Sequence, residues 1–287
     1  NFSVMVPYNT VISGTLLPMY PYGVEIYLFI DTVTLSGNGT WDISWRNCCR
    51  NGAIQNLSNP LSDRMLLTTS LVVDSATTNS TPFFLVPAAI FLPQNTPWQY
   101  NPLPFDPDGD SLYWSIDKPL NNINQYCTGY VDPSSDPSNV FSIDPVTGTI
   151  SWTADLMGNF VASVLVDQYR NGVWVGEIRR DMQFIVVNPT QGVPQWTNIG
   201  NLPIDANGNY SFNLVADQAF NLQMVAGHTD NTRALFLAAY SEVFELANSN
   251  ASFAQTKSSQ AEGTFSGQPT ISDIRTTPYK VVFRVSD

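Results

Sequence analysis

The chain has 287 residues, 43% hydrophobic and only 13% charged, with 24 acidic against 12 basic side chains and a formal net charge of −12. A surface of that sign repels nucleic-acid phosphates and anionic membranes and attracts divalent cations, so nucleic acid is excluded as a partner, and no apolar run reaches the roughly 20 residues of a membrane helix. The 17 Gly and 20 Pro, with many Thr, Ser and Asn, suit short strands and frequent turns, and the length predicts about two to three domains of roughly 100 residues.

Residues 24–30 and 40–45 alternate apolar and polar side chains as half-buried strands do, with Leu35-Ser36-Gly37-Asn38-Gly39 as the turn before the second. Residues 66–73 read as a further strand, and the polar run 74–81 as a linker. A first module is therefore expected over 1–82, an N-terminal β-sandwich that carries a Cys-Cys segment. A second is expected over 83–189, with strands near 83–91, 98–103, 111–116, 149–153, 160–166 and 173–187; Tyr169-Arg170-Asn171-Gly172 turns the last two into a hairpin. A third, diverged module is expected over 190–287, with strands at 210–214 and 280–285. A weak repeat links the last two modules: Gly148-Thr149-Ile150-Ser151 recurs as Gly263-Thr264-Phe265-Ser266. Residues 234–246 favour helix by Leu, Ala and Glu content and strand by repeat register, and strand is the expectation. The fold class expected is all-β, as tandem immunoglobulin- or cadherin-like sandwiches. The chain starts at Asn1 inside an apolar run and ends at Asp287 as a strand closes; both ends are expected to be cuts in a longer precursor.

Asp106-Pro107-Asp108-Gly109-Asp110 places three acids at alternate positions around a Pro and a Gly, running into a strand. Such oxygens are calcium ligands, and in an immunoglobulin-like order Asp167 comes to the same pole of the sandwich. Asp106, Asp108, Asp110 and Asp167 are thus the candidate metal ligands, and a structural calcium there would stiffen the joint with the first module; the bland alternative is a solvated acidic turn. Asp117 matches the last ligand of a helix–loop–helix calcium loop, but Gly109 is misplaced for it and 112–116 read as strand.

Three cysteines, Cys48, Cys49 and Cys127, leave an odd thiol. They are disulfide candidates, Cys48 or Cys49 joining Cys127 or a cysteine beyond this chain, or each other; simple burial is the other reading. No catalytic residue is expected. His228 is the single histidine, no Gly-x-Ser-x-Gly occurs, and no phosphate-cradling loop occurs. Paired carboxylates for glycoside hydrolysis are set by space, not by sequence. Tyr20, Tyr22, Trp98, Tyr100, Tyr126, Tyr130, Trp174 and Trp196 lie near turns or strand ends, where aromatic faces stack on sugars or anchor proteins, or else plug sandwich ends.

Several strings together resemble a family. Ser44-Trp45-Arg46-Asn47-Cys48-Cys49-Arg50-Asn51-Gly52-Ala53-Ile54-Gln55-Asn56-Leu57, the acid turn, Thr147-Gly148-Thr149-Ile150-Ser151-Trp152, Gln168-Tyr169-Arg170-Asn171-Gly172 and Gly176-Glu177-Ile178-Arg179-Arg180-Asp181 resemble large secreted surface proteins associated with gliding motility and adhesion in Bacteroidota. The resemblance covers most of 22–188 and extends more weakly to Pro269-Thr270-Ile271-Ser272-Asp273-Ile274. It implies tandem immunoglobulin- or cadherin-like modules, type IX secretion through a sorting domain outside this chain, and display at the cell surface. The expected function is a non-enzymatic, extracellular adhesin-type segment that meets a surface glycan or protein of another cell or substrate. The alternatives are a carbohydrate-binding accessory region of a secreted enzyme and a protomer of a homo-oligomeric surface appendage.

Overall fold

The computed structural model describes residues 11–17, 24–30, 32–134, 136, 139–190, 192–205, 209–255, 260–275 and 277–287. Their regular structure is all-β, with short 3₁₀ turns between strands. The chain forms two compact units: residues 1–83, 87–100 and 106–187, and residues 84–86, 101–105 and 188–287.

The strands of the first unit are β1 (Val11–Leu17), β2 (Val24–Phe29), β3 (Gly39–Asn47), β4 (Met65–Val73), β5 (Ala89–Pro93), β6 (Trp98–Tyr100), β7 (Ser111–Asp117), β8 (Leu120–Asn122), β9 (Ile150–Trp152), β10 (Gly158–Arg170) and β11 (Val173–Val187). The hairpin β10–β11 is the spine. Its turn needs left-handed backbone at both central residues, and Asn171 and Gly172 supply it at φ 52° and 78°. β7 lies along the outer edge of β10, from Ser163↔Asp117 to Tyr169↔Ser111. On the other edge of β11, β4 pairs antiparallel at Gly176↔Leu71 to Ile178↔Thr69, and β5 pairs parallel at Gln183↔Ala89 to Val187↔Pro93.

A small second sheet joins Ser142–Ile143, β9 and β6. It faces the spine across a cluster of rings. Trp152 stands edge-on to Phe141, Phe160 and Phe184, with centroids at 5.5, 5.4 and 6.3 Å. Trp152, Phe160 and Phe184 are buried, as are Val164, Val166 and Trp114. Edge-to-face rings of this size supply both apolar burial and fixed geometry.

The division into units differs from the expected three modules. Residues 39–73, expected in a module of their own, join the sheet of β10 and β11 through β4. The loop after β3 is also sewn in. Asn56 donates Nδ2 to the carbonyls of Val131 and Val161 and accepts from Val161 N–H, and the carboxylate of Asp63 accepts from Thr128 N–H at 3.1 Å. These bonds satisfy buried backbone that would otherwise be orphaned.

In the second unit β12 (Phe220–Gly227), β13 (Phe236–Ser241), β14 (Ser252–Gln255), β15 (Gln260–Gly267) and β16 (Val281–Ser286) form two antiparallel sheets, β12-β15-β14 and β13-β16. Ala226, Leu235, Leu237 and Ala261 make its buried core, with Trp196, Phe253 and Val285 packed on it. The ambiguous segment 234–246 resolves as strand β13 followed by a 3₁₀ turn, Glu242–Phe244, whose first turn is capped by Ser241 Oγ accepting from Val243 N–H. The expected strand at 210–214 is absent: Tyr210 makes one isolated bridge to Ile204, and 211–215 take no regular structure.

Candidate functional site

The acid turn sits at the end of β7. Asp106 is buried, and its Oδ1 accepts the backbone N–H groups of Asp108 and Asp110 at 2.9 and 3.2 Å, which closes the turn on itself. Gly109 takes φ +76°, open to Gly without strain. Asp108 Oδ2 accepts from Ser80 N–H at 2.5 Å. Ligand oxygens of Asp106, Asp108 and Asp110 lie within 4.8 Å of one another.

Strand alternation on β10 supplies the partners. Gln168 and Arg170 are two residues apart and share a face. Arg170 grips Asp110 with Nε to Oδ1 at 2.8 Å and Nη2 to Oδ2 at 2.7 Å, and lies 3.2 Å from Asp108 Oδ2. It also donates to Asn79 Oδ1 at 2.7 Å and to the Thr78 carbonyl at 2.9 Å. Gln168 is fully buried, and four oxygens converge on its Nε2: Asp106 Oδ2 at 2.6 Å, the Ser80 carbonyl at 2.8 Å, Asp110 Oδ2 at 2.9 Å and Asn79 Oδ1 at 3.4 Å. Two amide protons face four acceptors. Burial lifts the Asp106 carboxyl above its ordinary range; the two backbone N–H groups oppose that shift, and the charges of Asp110 and Asp108 add to it.

Asp167 does not join this group. It alternates to the opposite face from Gln168, and its Oδ1 accepts the indole N–H of Trp174 at 2.9 Å. Asp117 lies at the far end of β7, paired with Arg179 at 2.5 Å. The calcium question therefore rests on Asp106, Asp108 and Asp110. Their carboxylates, with the Ser80 carbonyl and the Asn79 side-chain oxygen, are the hard donors calcium takes. Three carboxylates against one guanidinium leave two negative charges in excess, so the residues fit a divalent cation in donor type and in charge.

The cysteines resolve differently from the leading expectation. Cys48 and Cys49 are bridged to each other, and Cys127 is a buried free thiol. Cys127 packs with Ile54, Leu57 and Val161, and Arg50 Nε reaches its Sγ at 3.1 Å. Burial pushes the thiol up to about 11 against the pull of Arg50. Arg50 is itself buried and ion-paired with buried Asp181 at 2.6 Å; Asp181 also accepts from Ser163 Oγ at 3.0 Å.

Of the aromatic candidates, Trp98 and Tyr100 stack on each other at 5.5 Å, Tyr130 packs on the Cys127 cluster, and Trp196 packs on the second core. Tyr126 is exposed, with Lys118 over its ring at 5.8 Å. Tyr20 and Tyr22 lie outside the described residues. His228 Nδ1 accepts from Asp230 N–H at 2.9 Å in its own loop. Sequence reasoning singled out neither Gln168, Arg170 nor Asp181 as a site residue. Period-two alternation along 160–170 was the signal available for the first two.

No protein-family model matches the chain, and no curated protein matches it. Among solved structures it is similar to cadherin domains 1–4 of Drosophila N-cadherin, at 13% identity and a TM-score of 0.26, covering 78% of this chain and 54% of that one. It is also similar to extracellular cadherin domains 1–4 of protocadherin gamma B7, at 10% identity and a TM-score of 0.24, covering 96% of this chain and 70% of that one. The chain thus spans about half the length of the N-cadherin fragment.

Proposed function

We propose that this chain is a non-enzymatic, adhesin-type segment of a larger extracellular surface protein, one that carries or forms a contact with a glycan or protein on another cell or substrate. The observation that carries the reading is the commitment of the acid turn. Its carboxylates fasten Ser80, Gln168 and Arg170 to the end of β7, which is structural work that leaves none of the turn's three carboxyls poised as a free general acid or base. Calcium is proposed as the structural ion of this turn, held by Asp106, Asp108, Asp110, the Ser80 carbonyl and Asn79. When bound it supplies positive charge to a carboxylate-rich turn. The resemblance to Bacteroidota gliding-motility and adhesion proteins supports export by type IX secretion and display at the cell surface.

The test uses the whole chain coupled to beads. Beads carrying the chain are expected to attach to cells or to glycan-coated surfaces above beads carrying a folded control, and the chain is expected to turn over no glycan or peptide. Attachment equal to the control overturns the adhesin reading. So does hydrolysis of a glycan or peptide panel that is lost in Asp106→Asn.

A further inference from the structure

A second cavity, away from the acid turn, lies beside the Cys48–Cys49 bridge. It has a volume of about 280 Å³, and Asn47, Cys49, Arg50, Asn51, Asp181 and Gln183 are among its lining residues. That volume lies just below the range of ligand pockets, ~300–1,000 Å³, and suits one ring rather than a chain.

The polar groups at its wall keep part of their hydrogen-bonding capacity. Arg50 is 6% exposed and makes four hydrogen bonds, two from Nε and two from Nη2. Its Nη1 makes none with the described residues and is not sealed from solvent. A guanidinium nitrogen is an obligate donor, and one held this rigidly loses no entropy when it takes a ligand oxygen. Among the described residues Asn47 makes no side-chain hydrogen bond, Asn51 uses only its Oδ1, on Ala53 N–H, and Gln183 uses only its Nε2, on Asn159. Ile54, Met65 and Val161 add apolar residues to its lining. The charge of Arg50 is already met by Asp181 at 2.6 Å, so the floor favours a neutral acceptor over a free anion.

We infer that this cavity is a binding site for a single neutral hydroxyl-rich ring, a glycan residue. Each hydroxyl is donor and acceptor at once, as each carboxamide is, and the C–H face of a sugar suits the apolar residues. The inference deepens the adhesin reading, from which it takes the source of the sugar. The pocket itself stands on geometry alone.

The test titrates the intact ¹⁵N-labelled chain with methyl glycosides of glucose, galactose, mannose and N-acetylglucosamine, and with methyl glucuronide as the charged counterpart. At millimolar concentration at least one neutral glycoside should shift the side-chain amide signals of Asn47, Asn51 and Gln183 together. Asn47→Ala, at an exposed position with no hydrogen bond to lose, should weaken that binding about tenfold, what one lost hydrogen bond costs. Ala88→Leu, which fills the cavity from its wall, should abolish it. No shift with any glycoside, shifts confined to residues that do not line the cavity, or tighter binding of the glucuronide than of every neutral ring overturns the inference. The titration involves no cell, so its failure leaves the adhesin reading to the bead assay.

Discussion

Arg170 meets Asp110 as a two-pronged fork, Nε on Oδ1 and Nη2 on Oδ2, at 2.8 and 2.7 Å. A planar guanidinium matches a carboxylate in this way and no ammonium does. Because the same guanidinium also holds Asn79 and the Thr78 carbonyl, one side chain at the end of the spine hairpin ties the segment after β4 to the acid turn.

Removing that fork should loosen the turn. Arg170→Ala is expected to cost about 1.5–3 kcal/mol, the range for hydrogen bonds to charged groups, and Arg170→Lys should recover only part of it. Thermal or urea melts in chelator measure this; an unchanged Arg170→Ala melt contradicts it.

Calcium should stabilise the chain, and more so in Arg170→Ala, where the acids lack their internal cation. At an affinity of about 10⁻⁴–10⁻³ M, excess ion adds on the order of 1–3 kcal/mol by mass action. Asp108→Ala should remove most of the rise, and Asp167→Ala, on the opposite face, should leave it intact. Identical melts with calcium and with chelator would show that Arg170 and Gln168 alone hold the turn.

Acidification should not weaken the fold at first. Burial raises the carboxyls of Asp106 and Glu177 in the folded chain, whereas the unfolded chain takes up these protons near pH 4. Between those ranges the folded state binds more protons, so stability rises as pH falls through the window. Melting in chelator should hold or climb as pH falls toward the ordinary carboxylate range, and Asp106→Asn should flatten the trend. A steady fall over that interval contradicts it.

Breaking the buried pair should be severe. Asp181→Ala leaves the Arg50 guanidinium buried without its counter-charge, a loss of about 3–5 kcal/mol. The double variant Arg50→Met, Asp181→Leu should recover much of that, which a double-mutant cycle reads directly.

The thiols give a chemical check. Native unreduced protein should take no alkylating agent, and unfolded unreduced protein should take one equivalent at Cys127, since Cys48 and Cys49 are bridged and Cys127 is buried. Mass spectrometry counts the labels; three labels on unfolded unreduced protein would refute the bridge.

Much of the local structure was legible because it is local. Asn171-Gly172 dictates a hairpin turn, alternation marks 24–30 and 40–45 as strands, and Asp106 closes its own turn through backbone N–H groups two and four residues on. Alternation failed at 210–214, where the polar-apolar pattern found no neighbouring strand to pair along its length; a strand without a ladder has no hydrogen bonds to hold it. What only the tertiary structure decided is register. Three ladder pairs between β4 and β11 merged two expected modules into one unit. A step of one residue along β10 put Gln168 and Arg170 on the acids and turned Asp167 to Trp174. The same register brought Asp181 to Arg50 across 131 positions of sequence. Side-chain spacing along a strand is written in the chain, but the partner each face meets depends on how separate strands align, and shifting that alignment by one residue reverses every face.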